Sequence, residues 1–244
     1  MLIVSPSYKR ADDVKIRDWF FDITLAVHSF EAEEYKEKQG GDIIILPDST
    51  RGNMALVRQF ILDQAGPDEW VVMLDDDVIE VGYFGKATNQ DNWMAYDRDQ
   101  FLEFLENSCA LAEELGTNLW GVNVSSDPRF YREYTPISFG SPVLGTFCVQ
   151  KKTKGIQYDA RLGLKEDYDI FLQYLNKFHK VLRFNRYYYR AGHLNVKGGC
   201  GAYRVMAEEK KQAEIMTKKW GKSVIKWAPE RSTNPRVNSP IPGV

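Results

Sequence analysis

The strongest hydrophobic signal in the chain is Trp70-Val71-Val72-Met73-Leu74, which runs without a break into Asp75-Asp76-Asp77. Five consecutive apolar residues, two of them β-branched, predict a strand buried on both faces, as in a parallel sheet. Leu2-Ile3-Val4, Ile23-Thr24-Leu25-Ala26-Val27 and Ile43-Ile44-Ile45-Leu46 are shorter runs of the same kind. Pro6 breaks the first of them. A polar helix from Glu31 to Lys38, closed by Gly40-Gly41, separates the second from the third, and another helix opens around Thr50-Arg51-Gly52-Asn53 and runs through Ala65. Strands alternating with helices at this pace predict an α/β fold with parallel crossovers.

Beyond the aspartates, Val78 to Phe84 reads as extended, and 85–97 is polar and aromatic without a period, a candidate lid or acceptor loop. Asp97 to Leu115 is amphipathic, with Phe101, Leu102, Leu105, Cys109 and Ala112 on its inner face. Leu119 to Val124 is the next strand. In 127–147, small residues alternate with apolar ones, as in a strand or loop lying under a closely packed ligand. A helix follows from Gly163 to Phe178, and 181–190 reads as a half-exposed strand. A helix from Tyr203 to Trp220 and a short extended piece at 224–227 complete the pattern. Residues 1–227 thus read as one domain, and 228–244, rich in Pro, Ser, Asn and Arg, as an extended tail.

At 244 residues the chain is long enough to bury a substantial core. Its three cysteines (Cys109, Cys148, Cys200) show no CxxC spacing, which argues against a disulfide framework or thiolate zinc site and fits a reducing cytoplasm. No apolar run approaches the ~20 residues of a membrane span, and no secretory leader is visible at Met1-Leu2-Ile3-Val4-Ser5. The net charge of −2 conceals an asymmetry. Residues 1–176 carry 17 Lys/Arg against 30 Asp/Glu, and residues 177–244 carry 15 against 4. A basic third of this kind either meets a polyanion or neutralises the acidic part within the fold.

Three adjacent aspartates at the end of a buried strand repel one another and call for a counter-charge. A hard divalent cation, Mg²⁺ or Mn²⁺, supplies it together with substrate phosphates; the alternative is an acidic, solvated turn. Ligands of open α/β sheets sit at this carboxyl end of the strands. Glu166, Asp167 and Asp169 also lie in the first turn of a helix, where the dipole alone favours acids. His193 is either structural or a ligand, and Arg58 either a surface ion pair or a site residue.

Leu74-Asp75-Asp76-Asp77 after an apolar strand resembles the DxD motif of GT-A-fold glycosyltransferases, which use nucleotide-sugars. The resemblance implies a Rossmann-like, mostly parallel sheet flanked by helices. It places Pro6, Ser7, Tyr8 and Arg10 in the loop that meets base and ribose, with Asp75 and Asp76 beside the donor. Thr50 to Arg58 resembles the glycine-to-arginine helix that precedes DxD in family-2-type enzymes, one residue longer here, and makes Arg58 a donor-site candidate. Glu166-Asp167 resembles the xED motif, which makes Asp167 the base on the acceptor and Glu166 its neighbour or orienter, with Asp169 as the second choice. Asp75, Asp77 and His193 would hold Mn²⁺ or Mg²⁺, and the basic loop from Lys197 would close over the diphosphate.

More narrowly, the strand-Asp-Asp-Asp-Val pattern and the Lys165-Glu166-Asp167-Tyr168-Asp169 block resemble the TET-associated glycosyltransferases, mostly phage-encoded enzymes that glycosylate 5-hydroxymethylpyrimidines in DNA. The expectations are a UDP-sugar donor, a DNA acceptor held by the basic C-terminal third, no membrane association, and a cytoplasmic location (the host's, if phage-encoded). Tyr187-Tyr188-Tyr189 among Arg183, Arg186 and Arg190 offers either base stacking and phosphate contacts or a core strand. A polysaccharide, lipid or protein acceptor, or a metal-dependent nuclease, remains an alternative.

Overall fold

The computed structural model describes residues 1–85, 93–192, 205–227 and 234–238. In chain order the elements are β1 (Leu2–Pro6), β2 (Thr24–His28), α1 (Ala32–Gln39), β3 (Ile43–Leu46), α2 (Met54–Asp63), β4 (Trp70–Leu74), β5 (Val78–Phe84), β6 (Trp93–Ala95), α3 (Arg98–Glu114), β7 (Leu119–Asn123), β8 (Ile137–Ser138), β9 (Phe147–Lys151), α4 (Glu166–Phe178), β10 (Leu182–Ala191), α5 (Met206–Trp220), β11 (Ile225–Lys226) and β12 (Arg236–Val237).

Strands β3, β2, β1 and β4 lie side by side and parallel, as their apolar runs predict. The sheet continues through β9, antiparallel to both β4 and β7, then β10, parallel to β7, and finally antiparallel β5 and β6, with β8 also paired to β10. Two of these strands are absent from the sequence pattern. β9 carries Gln150 in its interior, which breaks the apolar run; the side chain is fully buried and donates to Tyr158 OH at 2.6 Å. β6 lies in the stretch expected to be a loop, and pairs with β5 at Phe84–Trp93.

Residues alternate across the sheet with period two. Trp70, Val72 and Leu74 of β4 join Leu25 and Val27 of β2 on the face covered by α1 and α3. Val71 and Met73 point to the other face, covered by α2, α4 and α5. With helices on both sides, β4 has no solvated face, and all five of its residues are buried. α3 begins with a capping box in which Asp97 and Gln100 satisfy each other's backbone, so its start is fixed locally.

The tyrosines of β10 take the core alternative. Tyr187 stacks on Phe104 at 4.5 Å, Tyr188 packs with Phe84 and Tyr131, and Tyr189 is 7 % exposed. Arg190 is paired with Glu80 at 3.4 Å, and Arg183 donates to Asn185 at 2.8 Å. These side chains belong to the fold, and the base-stacking role is withdrawn for them. Within the segment expected to be a tail, Arg236–Val237 returns to pair with β11.

Register places the functional edge. Leu74 is paired with Phe147 and Val78 with Ala191, so the residues after β4, before β9 and after β10 meet at one end of the sheet. Asp75 N donates to Thr146 O at 3.1 Å and Gly192 N to Asp77 O at 2.8 Å.

Candidate active site

The three aspartates part company as soon as β4 ends. Asp76 turns inward and is 4 % exposed. Ser7 Oγ donates to its Oδ2 at 2.5 Å, and Arg10 Nη1 forms an ion pair with its Oδ1. With the Ser7 proton so committed, Tyr35 OH is the donor to Ser7 Oγ at 2.7 Å, and it accepts from Arg10 N at 2.9 Å. Burial pushes the Asp76 carboxyl up to about 7, Arg10 and Ser7 pull it down, and the neighbouring Asp77 and Asp75 push it up again. Asp76 is therefore the anchor of the loop after β1. Pro6 ends β1 beside Ala26, while Tyr8 turns to His28 and Phe30, with ring centroids at 5.7 and 6.2 Å. Tyr35 stands on a helix whose sequence reads as merely polar, and no local signal marks it.

Asp75 faces the opposite way and meets Arg58. Arg58 Nη2 donates to Asp75 Oδ1 at 2.8 Å and Nε to Glu166 Oε1 at 3.2 Å. The guanidinium is buried, at 3 % exposure, so neither a surface ion pair nor open donor contact describes it. Burial opposes its charge, and Asp75 and Glu166 more than offset that, raising its pKa. The planar fork of arginine suits this double attachment. α2 brings Arg58 here because Asn53 caps the helix by accepting from Leu56 N at 3.3 Å. Arg10 and Arg58 thus supply much of the counter-charge that the sequence argument assigned to a cation.

Glu166 and Asp167 open α4 side by side. Burial pushes the Glu166 carboxyl up to about 8, and the adjacent Asp167 charge pushes the same way against the pull of Arg58. Asp167 is likewise raised by burial, while Gly145 N, donating to its Oδ2 at 3.3 Å, lowers it. Asp169, two residues on, points to the other side of the helix. It accepts from Trp220 Nε1 at 2.7 Å and pairs with Lys219 at 2.8 Å, so it fastens α5 and is no alternative base. The close packing expected in 127–147 is real, but its neighbour is the protein itself: a Cβ at Gly145 would lie 2.7 Å from Arg58 Nη2, and one at Gly121 2.7 Å from Val143 Cγ1. His193 and Lys197 lie outside the described residues.

The edge of the sheet therefore gathers a braced loop after β1, a carboxylate pair at the start of α4, and Asp75 between them. The family described as TET-Associated Glycosyltransferase matches residues 1–200 of the chain. The chain belongs to the TET-associated glycosyltransferases.

As a TET-associated glycosyltransferase the protein is an enzyme of sugar transfer, built on an α/β sheet whose first four strands are parallel. Among solved structures it is similar to S. aureus TarS 1–349 (13 % identity, TM-score 0.46, 91 % of this chain and 73 % of that one). It is also similar to 4-diphosphocytidyl-2C-methyl-D-erythritol synthase from Anaerococcus prevotii (10 % identity, TM-score 0.41, 88 % and 96 %). No curated protein sequence matches it. Among the described residues, no helix is long and apolar enough to cross a membrane.

Among the described residues of this TET-associated glycosyltransferase, the carboxylates left that could hold a divalent cation are Asp75 and Asp77. The Asp75 side chain is 30 % exposed with Oδ1 held by Arg58. That of Asp77 is 11 % exposed, with Arg10 Nη1 3.6 Å from its Oδ2. Asp76 is committed to Ser7 and Arg10. No group of three His, Cys, Asp or Glu converges on a metal position among the described residues. Two carboxylates fit Mg²⁺ or Mn²⁺, which take their remaining ligands from water and substrate phosphate.

Proposed function

We propose that this enzyme moves a sugar from a UDP-sugar, with Mn²⁺ or Mg²⁺, to the hydroxyl of a 5-hydroxymethylpyrimidine in DNA. The observation that carries the reading is the bridge from Asp75 through Arg58 to Glu166, which holds the donor-side aspartate and the base motif in one rigid frame. Ser7, Tyr8 and Arg10 bind the nucleotide on a loop that Asp76 braces from beneath. Asp75 and Asp77 hold the cation, which when bound neutralises charge on the leaving diphosphate. Asp167 accepts the proton of the acceptor hydroxyl, whose oxygen bonds to the anomeric carbon as the nucleoside diphosphate departs. Burial raises its pKa, which makes it a stronger base than an exposed carboxylate. Arg58 and Glu166 position and tune Asp167 without touching the reacting atoms.

The DNA acceptor is supported by the family and by the basic C-terminal third. The test is transfer of label from a panel of UDP-sugars to duplexes containing cytosine, thymine, 5-hydroxymethylcytosine or 5-hydroxymethyluracil, with and without Mn²⁺. Metal-dependent labelling confined to hydroxymethylated duplexes is expected. Donor hydrolysis without labelling of any duplex would remove DNA as the acceptor and leave the glycosyltransferase.

A further inference from the structure

The basic C-terminal third splits in two in the folded protein. One group of its charges is used internally: Arg190 pairs with Glu80, Lys219 with Asp159 and Asp169, and Lys211 with Glu208. A second group lines a groove of about 700 Å³ between the C-terminal half of α5 and β11. Lys218, Lys222 and Lys226 line it together with Ile225, Trp227 and one carboxylate, Glu214. The three lysines are exposed and make no ion pair among the described residues.

The adjoining ribbon adds to this unbalanced charge. β11 and β12 pair Lys226 directly with Arg236, both exposed, and Asn238 N extends the ladder to Val224 O at 2.8 Å. Like charges opposite one another on an antiparallel pair destabilise it, and a two-stranded ribbon has little stability to spare. An anion lying between them removes that repulsion. Lys218 lies in the last turn of α5, Lys222 in the turn that follows and Lys226 on β11, so the three charges come from successive segments along the groove, beside an aromatic ring and apolar floor. Unpaired cations spread along a groove suit a chain of phosphates better than one small anion.

α5 ties this groove to the active site. Its first turns are fixed beside the catalytic pair by a fully buried ion pair between Lys165 and Glu209 and by Gln212, which accepts from Leu164 N at 2.8 Å. From Glu209 to Lys218 the helix advances about 14 Å, or some four base-pair steps of a duplex.

We propose that the groove of Lys218, Lys222 and Lys226, with Arg236 at its rim, docks the phosphate backbone of the DNA flanking the modified base. The inference rests on DNA being the acceptor. It gives the enzyme a hold on sequence-independent backbone at a distance from Asp167, so that affinity for the polymer is separated from recognition of the hydroxymethyl group.

The experiment measures binding of a duplex of about 20 base pairs as a function of salt, alongside label transfer to hydroxymethylated duplex, donor hydrolysis without DNA, and melting temperature. The variants are Lys218→Ala/Lys222→Ala/Lys226→Ala and the matching triple Lys→Arg. The alanine variant is expected to lower the slope of log K against log salt by about 2–3 and to weaken binding on the order of a hundredfold at ~0.15 M salt. Donor hydrolysis stays at the wild-type value and the melting temperature does not fall, since loss of Lys226 relieves its repulsion with Arg236, and the arginine variant keeps the wild-type slope. If wild-type enzyme labels the DNA while the alanine variant binds with an unchanged slope, the groove is not the dock and the acceptor reading stands. An arginine variant as weak as the alanine one also overturns the proposal, since charge would not be the cause. Wild-type enzyme that neither labels nor binds DNA overturns the acceptor reading, and the dock with it.

Discussion

Arg58 and Gly145 touch so closely that position 145 has no room for a side chain: a Cβ there would come within 2.7 Å of Nη2 and 3.0 Å of Cζ. The guanidinium cannot yield, because Asp75 and Glu166 hold it from two directions. Gly145 also donates its N–H to Asp167. One glycine thus sets the spacing between Asp75 and Asp167.

Gly145→Ala is expected to push Arg58 off its two carboxylates, costing about 1–3 kcal/mol by overpacking and reducing transfer. Arg58→Ala leaves Glu166 buried without its partner and costs about 3–5 kcal/mol. Because both act on the same contact, the double variant should be far from additive. Chemical denaturation of the four proteins checks this; additive costs would mean that Gly145 acts independently of Arg58.

The pH dependence follows from the raised carboxyls of α4. Glu166 titrates at about 8 in the folded protein against an ordinary 4.5. The folded state therefore keeps a proton that the unfolded chain releases earlier. The associated stability is complete below about pH 4.5, declines as pH rises, and is lost once pH passes about 8. Activity should move the other way, rising with pH as Asp167 becomes able to accept a proton. Burial raises Asp167, and Glu166 still carries its proton where Asp167 ionises, so Glu166→Gln should leave the ascending limb of the kcat profile in place and remove the loss of stability toward pH 8. A limb that moves with the substitution would assign that titration to Glu166.

Asp167 and Asp169 differ in task although they stand two residues apart. Asp167→Asn should lower kcat by 10²-fold or more, in the range of a lost general base, roughly. Asp169→Asn should leave kcat near wild type and lower stability by about 1–3 kcal/mol through the weakened ties to Trp220 and Lys219. Turnover and melting temperature, measured together, separate the two.

Cation dependence should reside in Asp77 and not in Asp76. Chelation should abolish transfer, and added Mn²⁺ or Mg²⁺ should restore it. Asp77→Asn should raise the metal concentration needed for half-activity or abolish turnover, with melting temperature little changed. Ser7→Ala, which takes a donor from the buried Asp76, should cost about 1–3 kcal/mol and leave the metal requirement alone. Metal titrations of both variants are the measurement.

The parallel half of the sheet, α3 and the placement of the acidic residues were legible in the chain because each rests on a local pattern. β4 is an unbroken apolar run, Asp97-x-x-Gln100 writes its own capping box, and the acidic turn of α4 is contiguous. β9 was not legible, because Gln150, one residue from its end, interrupts the apolar run and is satisfied only by Tyr158, which accepts its hydrogen bond. The role of Arg58 was equally hidden: its two carboxylate partners lie 17 and 108 residues away.

The sequence by itself determined that three carboxylates would emerge at the carboxyl edge of a buried strand and that a second acidic pair would begin a later helix, since period and propensity act over a few neighbouring residues. Only the tertiary structure decided what each carboxylate does. Asp76 became a brace because Ser7, Arg10 and Tyr35 close around it, Asp169 a fastener because α5 packs there, and Asp75 a partner of Glu166 because Arg58 spans the gap between them. The physical reason is that burial and opposing charge set the state of an ionisable group, and both come from residues distant in the chain.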